Sequence, residues 1–134
     1  MLLVQLDPEL AAQVLHALPP EVQRLAAGAQ RHTTPCGAGD LVWHRWGPAG
    51  GAPVVLLHGG SGSWTHWLRN IAPLAAAGHA VWVPDMPGFG ESAAPPDGQD
   101  ADVLPGWLEA GLQQLAGTTP VALVGFSFGA LVAG

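Results

Sequence analysis

The sequence predicts an α/β protein, an open and mostly parallel sheet with helices on both faces. Three observations carry that expectation. Short apolar runs recur and end in glycine, aspartate or a glycine-flanked turn: PVVLLHG (53–59), HAVWVPD (79–85) and VALVGF (121–126). Segments with helical character, 64–78 and 102–117, separate them. The joins are short, so successive strands are expected to run parallel in βαβ units. In such sheets ligands bind beyond the carboxyl ends of the strands, where the most unusual motifs of this chain fall.

Residues 1–30 read as a helical N-terminal leader. Asp7 followed by Pro8 and Glu9 is a helix start, a capping side chain and then proline in the first turn. Leu10, Val14, Leu15 and Leu18 share one face, and Pro19-Pro20 ends that helix. Glu21, Val22, Leu25, Ala26 and Ala29 suggest a second, shorter one. The leader is expected to be a packing or partner-facing appendage, with residues 31–134 forming the main domain.

Within that domain LVWHRWG (41–47) is rich in strand formers, and 53–59 is a continuous apolar run of the kind buried on both faces of a sheet. The helical segment 64–78 carries Pro73 as a kink or break and Gly78 as its stop. Residues 79–85 form the next strand, and 91–101, rich in Pro, Asp and Gly, a loop. The helix over 102–117 is expected to begin properly near Trp107, because Pro105 and Gly106 interrupt it. The run 121–126 reads as a further buried strand, with a helix opening at Ser127.

Composition narrows the function. The 134 residues suit one domain, with 49% hydrophobic and only 10% charged residues. Four arginines, no lysine and a net charge of −6 argue against neutralising a run of phosphates, so nucleic acid is not an expected partner. Cys36 is the lone cysteine, which rules out an internal disulfide. No uninterrupted apolar window approaches a membrane span, and the N-terminus lacks the basic region of a signal peptide. A cytoplasmic protein without a membrane partner is the default expectation. His16, His32, His44, His66 and His79 are scattered without metal-ligand spacing, so neither metal nor cofactor is expected.

The chemistry concentrates in three loops. Gly125-Phe126-Ser127-Phe128-Gly129 joins a strand to a helix as G-x-S-x-G, a turn so tight that side chains at 125 and 129 would collide. It lifts the Ser127 hydroxyl clear of the sheet and brings the free amides of a helix N-terminus beside it. HGGSGSW (58–64) follows the earlier strand. A serine attacking a carbonyl creates an oxyanion that needs two fixed N–H donors. The Phe128 amide supplies one. Glycines at 59, 60 and 62 let the backbone of the other loop approach, and Gly60 is the nominated second donor, with Gly59 or Ser61 as alternatives. A dinucleotide loop would need a third glycine, and a phosphate-binding loop a lysine; both are missing. His58 is read as a structural histidine that fixes this loop in preference to a catalytic base. DMPGFGES (85–92) follows the third strand, and Asp85 and Gly88 are expected to shape and brace the site floor.

Taken together and in this order, H-G-G-S-G-S-W, D-M-P-G-F-G-E-S and G-F-S-F-G resemble the α/β-hydrolase fold superfamily over residues 31–134. The resemblance implies that Ser127 is the nucleophile, that Gly60 and Phe128 provide the oxyanion hole, and that Asp85, Pro87, Gly88, Gly90 and Ser92 match the family's loop. Phe126 stands where related enzymes often have histidine. The family's triad runs serine, acid, histidine along the chain. The chain is therefore expected to hold the front of the fold, truncated just past the nucleophile elbow, with the acid and histidine missing. Strand 121–126, central in the family's sheet, then becomes an apolar edge, and the isolated chain is expected to be poorly soluble and nearly inactive. For the complete protein the expected partner is a small, fairly apolar ester or related acyl substrate, with Trp64, Phe89, Phe126 and Phe128 as pocket candidates. Carbon–carbon bond hydrolysis is the close alternative. A non-catalytic remnant or binding module is the alternative of a different class.

Overall fold

The computed structural model describes residues 19–59, 64–96, 104–117 and 120–125. Helix α1 (Pro20–Ala27) precedes strands β1 (Gln30–Cys36), β2 (Gly39–Trp46) and β3 (Ala52–Leu57). A 3-10 turn (Trp64–Trp67) leads into α2 (Leu68–Ala76), followed by β4 (His79–Pro84), α3 (Leu104–Ala116) and β5 (Ala122–Gly125). The first half of the leader lies outside the described residues; its second helix is α1.

The strands form one sheet in the order β1-β2-β4-β3-β5. β4 and β5 each pair parallel to β3, as the βαβ reading required. β2 pairs antiparallel to β4 and β1 antiparallel to β2, so a hairpin completes the sheet on one side. Gly37, at φ +60°, sits in the two-residue hairpin turn. β1 has no counterpart in the sequence reading. Its residues, QRHTTPC, are mostly polar, and only Thr34 and Cys36 are buried. Pro35 is tolerated there because β1 is an edge strand.

Side chains alternate across the sheet with period two. Val54 and Leu56 of β3, Val81 and Val83 of β4 and Trp46 of β2 form one core with Trp64, Ile71 and the partly buried Val22 and Leu25 of α1. Val55 and Leu57, Trp82 and Trp43 form the other with Met86, Phe89 and Leu104 and Leu108 of α3. Burial on both faces is why β3 and β4 read as unbroken apolar runs. Helix α1 is tied to the sheet by the Trp46 indole N–H, which donates to the Leu25 carbonyl at 2.8 Å.

Three expectations need correction. Helix α3 begins at Leu104, not near Trp107, since Pro105 occupies the first turn, where its missing N–H has no helical partner to lose. Pro73 does not break α2, which runs on to Ala76; the Pro73 carbonyl still accepts from Ala77 at 3.0 Å, and Gly78 at φ +96° makes the stop. β5 is not buried: Leu123 and Val124 are 50% and 43% exposed, one on each face, at the sheet edge expected for the isolated chain. Among the described residues no helix is long and apolar enough to cross a membrane.

Candidate active site

Helix α2 packs on one face of the sheet and α3 on the other, and in open sheets of this build ligands bind outside the carboxyl ends of the strands. The loops that begin at His58 and at Asp85 start there. β5 reaches the same edge, with Gly125 paired to Leu57 in the parallel register. The candidate nucleophile Ser127, the donor positions Gly60 and Phe128, and Phe126 and Gly129 lie outside the described residues; Gly125, His58, Gly59, Asp85 and Gly88 are described.

His58 is fully buried. Its Nε2 accepts the Met86 backbone N–H at 3.0 Å, and its Nδ1–H donates to the Gly59 carbonyl at 2.7 Å. Its ring meets Phe89 edge-on, with centroids 5.1 Å apart. Both nitrogens are engaged in holding the backbone together, and neither ring nitrogen is left for the role of a base.

Asp85 is the centre of the second loop. Oδ1 accepts from the Trp64 amide at 3.0 Å and Oδ2 from the Glu91 amide at 3.1 Å. His44 Nε2 lies 3.6 Å from Oδ2, slightly beyond hydrogen-bond distance but within ion-pair distance. Burial alone pushes this carboxyl up, yet the His44 imidazole and the Trp64 and Glu91 amides outweigh it and hold Asp85 below 3.8. The Asp85 backbone joins β2 as well: its N–H donates to the Val42 carbonyl at 3.0 Å, and its carbonyl accepts from the Ser92 hydroxyl, which in turn accepts the Val42 N–H at 2.8 Å. Ser92 thus stitches the loop to β2.

Gly88 and Gly90 are required by this path. Met86-Pro87-Gly88-Phe89 closes a turn in which Phe89 N–H donates to the Met86 carbonyl at 2.8 Å, with proline second and Gly88 at φ +85° third. At Gly90, φ is +51°, and a Cβ would stand 2.5 Å from Cγ and Oδ2 of Asp85. The carboxylate occupies the space a side chain would need.

Of the pocket candidates, Trp64 and Phe89 are buried in the two cores, and Phe126 and Phe128 lie outside the described residues. An apolar cleft of about 330 Å³ lies between α3 and the sheet, lined by Trp43, Val55, Leu57, Leu108, Leu112 and Leu123. Among the described residues no group of three or more His, Cys, Asp or Glu side chains could hold a metal. Sequence reading missed His44. Its one signal is a histidine among Val42 and Trp46 on the apolar face of β2.

Comparison with known proteins agrees with this architecture. A family model described as alpha/beta hydrolase fold matches residues 52–134. The chain is 37% identical over 82 residues to 2-hydroxy-6-oxo-6-phenylhexa-2,4-dienoate hydrolase of Burkholderia cepacia, covering 59% of this chain and 29% of that protein. It is 43% identical over 72 residues to a haloalkane dehalogenase of Psychrobacter cryohalolentis, covering 52% and 23%. The thioesterase domain from the curacin biosynthetic pathway superimposes with a TM-score of 0.71 at 26% identity, covering 78% of this chain and 39% of that one. The chain thus spans under a third of the length of the two curated relatives. A match over more than half of the chain, on a sheet of the same build, makes it a member of the alpha/beta hydrolase fold family.

Proposed function

We propose that the complete protein is a serine hydrolase of a small, fairly apolar acyl substrate, an ester in the first instance. One observation carries the reading: Gly125 pairs with Leu57, so the chain leading to Ser127 and the loop beginning at His58 leave adjacent strands at the same end. Neighbouring strands are about 4.8 Å apart, which suits a nucleophile and an oxyanion donor facing one carbonyl. Ser127 Oγ forms the bond to the carbonyl carbon, and its proton passes to a base supplied from outside residues 1–134. The amides of Gly60 and Phe128 hold the oxyanion. Collapse expels the alcohol with a proton, and water then releases the acid from Ser127.

His58 supports this arrangement from behind. The Gly59 carbonyl and the Gly60 amide belong to one planar peptide and point in opposite directions. By holding that carbonyl, the His58 Nδ1–H fixes the plane that carries the donor.

Hydrolysis of a carbon–carbon bond beside a keto group is the second reading, favoured by the 37% identity to a hydrolase named for an oxo-dienoate. The test is labelling of the complete protein by a fluorophosphonate, expected in the native protein and lost in Ser127→Ala. A folded native protein that takes no label overturns the reading. Turnover of p-nitrophenyl esters against oxo-dienoates then separates its two forms.

A further inference from the structure

His44 has a place in this site that the mechanism above does not use. Its ring packs against the indoles of Trp46 and Trp64, with centroids at 6.2 and 5.5 Å, and the two indoles also touch each other at 5.5 Å. Its Nε2 is buried and, among the described residues, has no hydrogen-bond partner. Asp85 Oδ2 lies 3.6 Å from it. Across the sheet its strand neighbours are Val83 on β4 and Arg31 on β1, and the Arg31 guanidinium is engaged by Glu91 at 3.2 Å. An apolar ring would fill this slot without burying a polar nitrogen, so an imidazole here is a cost unless it acts on the carboxylate.

That carboxylate already holds two amides. Oδ2 takes the Glu91 N–H and Oδ1 the Trp64 N–H, and Trp64 is the last residue of the HGGSGSW loop. An N–H on His44 Nε2, 3.6 Å from Oδ2, would attract the carboxylate from a third side and favour Oδ1 staying on the Trp64 amide. We propose that His44 is a positioning residue: through Asp85 it anchors the C-terminal end of the loop that carries the Gly60 donor. The importance of that loop rests on the hydrolase reading; the anchoring itself does not.

The test is amide hydrogen exchange at Trp64, read residue by residue by NMR in the full chain. In His44→Phe, which keeps a ring against the two indoles but removes the N–H, the Trp64 amide is expected to exchange about ten-fold faster while Val54 and Val81 in the sheet stay unchanged. His44→Gln, with an N–H near the same place, is expected to recover protection. Unchanged Trp64 exchange in His44→Phe, or equal acceleration in both variants, overturns the proposal. Imidazole nitrogen shifts of the native protein give a readout that needs no variant: a proton on Nε2 supports it, and a proton on Nδ1 alone overturns it. Neither measurement needs turnover, so failure of Ser127 labelling counts against the hydrolase reading and not against the action of His44.

Discussion

Met86 donates its backbone N–H to Nε2 of His58 across 3.0 Å. A backbone amide can only donate, so that nitrogen must be unprotonated, and the ring proton sits on Nδ1 beside the Gly59 carbonyl. Nitrogen NMR is expected to find His58 as the Nδ1–H tautomer. His58→Ala leaves the Met86 amide and the Gly59 carbonyl buried without these partners. It is expected to destabilise the fold by about 1–3 kcal/mol in chemical denaturation.

Asp85 gives the fold an acid-sensitive element. Its carboxyl is held below 3.8, its ordinary unfolded value, because the His44 imidazole and two amides outweigh the penalty of burial. A carboxyl lowered in the folded state stabilises the fold fully above its unfolded value. The contribution fades as pH falls through the lower folded value. Stability followed from neutral pH into acid is therefore expected to drop below about pH 4. Asp85→Asn is expected to be less stable at neutral pH and to lose that part of the acid slope.

Gly90 and Asp85 compete for one volume. With φ at +51° and a Cβ that would come 2.5 Å from the carboxylate, Gly90→Ala carries both backbone strain and a clash. A cost of about 1–3 kcal/mol is expected from urea denaturation. In an Asp85→Ala background the clash disappears, so the cost should shrink toward the strain alone. Additive costs in that double-mutant cycle would contradict this account.

Helix α3 touches the sheet at Gly111, where a Cβ would lie 2.5 Å from Thr34 Oγ1 and 3.0 Å from the Trp43 ring. Thr34 cannot easily yield, since it accepts the Trp43 indole N–H at 2.9 Å. Gly111→Ala would gain about 1 kcal/mol of helix propensity on an exposed helix. Here it is expected to lower the melting temperature instead.

Much of this was legible in the sequence because it is local. The apolar runs of β3 and β4, the stop at Gly78 and the glycines of the 85–92 loop each announce themselves within a few residues. What stayed hidden depends on partners far along the chain. β1 is written in threonine, histidine and glutamine and becomes a strand only because β2 pairs with it. The proline in the first turn of α3 looks like an interruption until the helix is seen to start before it. His44 reads as a spare histidine in a strand, and only folding brings it to Asp85, Trp64 and Trp46. The exposure of β5, by contrast, matches the apolar edge that the family resemblance implied, although its residues alone read as a buried strand.

The consecutive residues Asp85 and Met86 grip the two ends of the HGGSGSW segment, one through Trp64 and the other through His58. The starts of the two loops are therefore tied to each other, and a displacement of one is expected to carry the other with it.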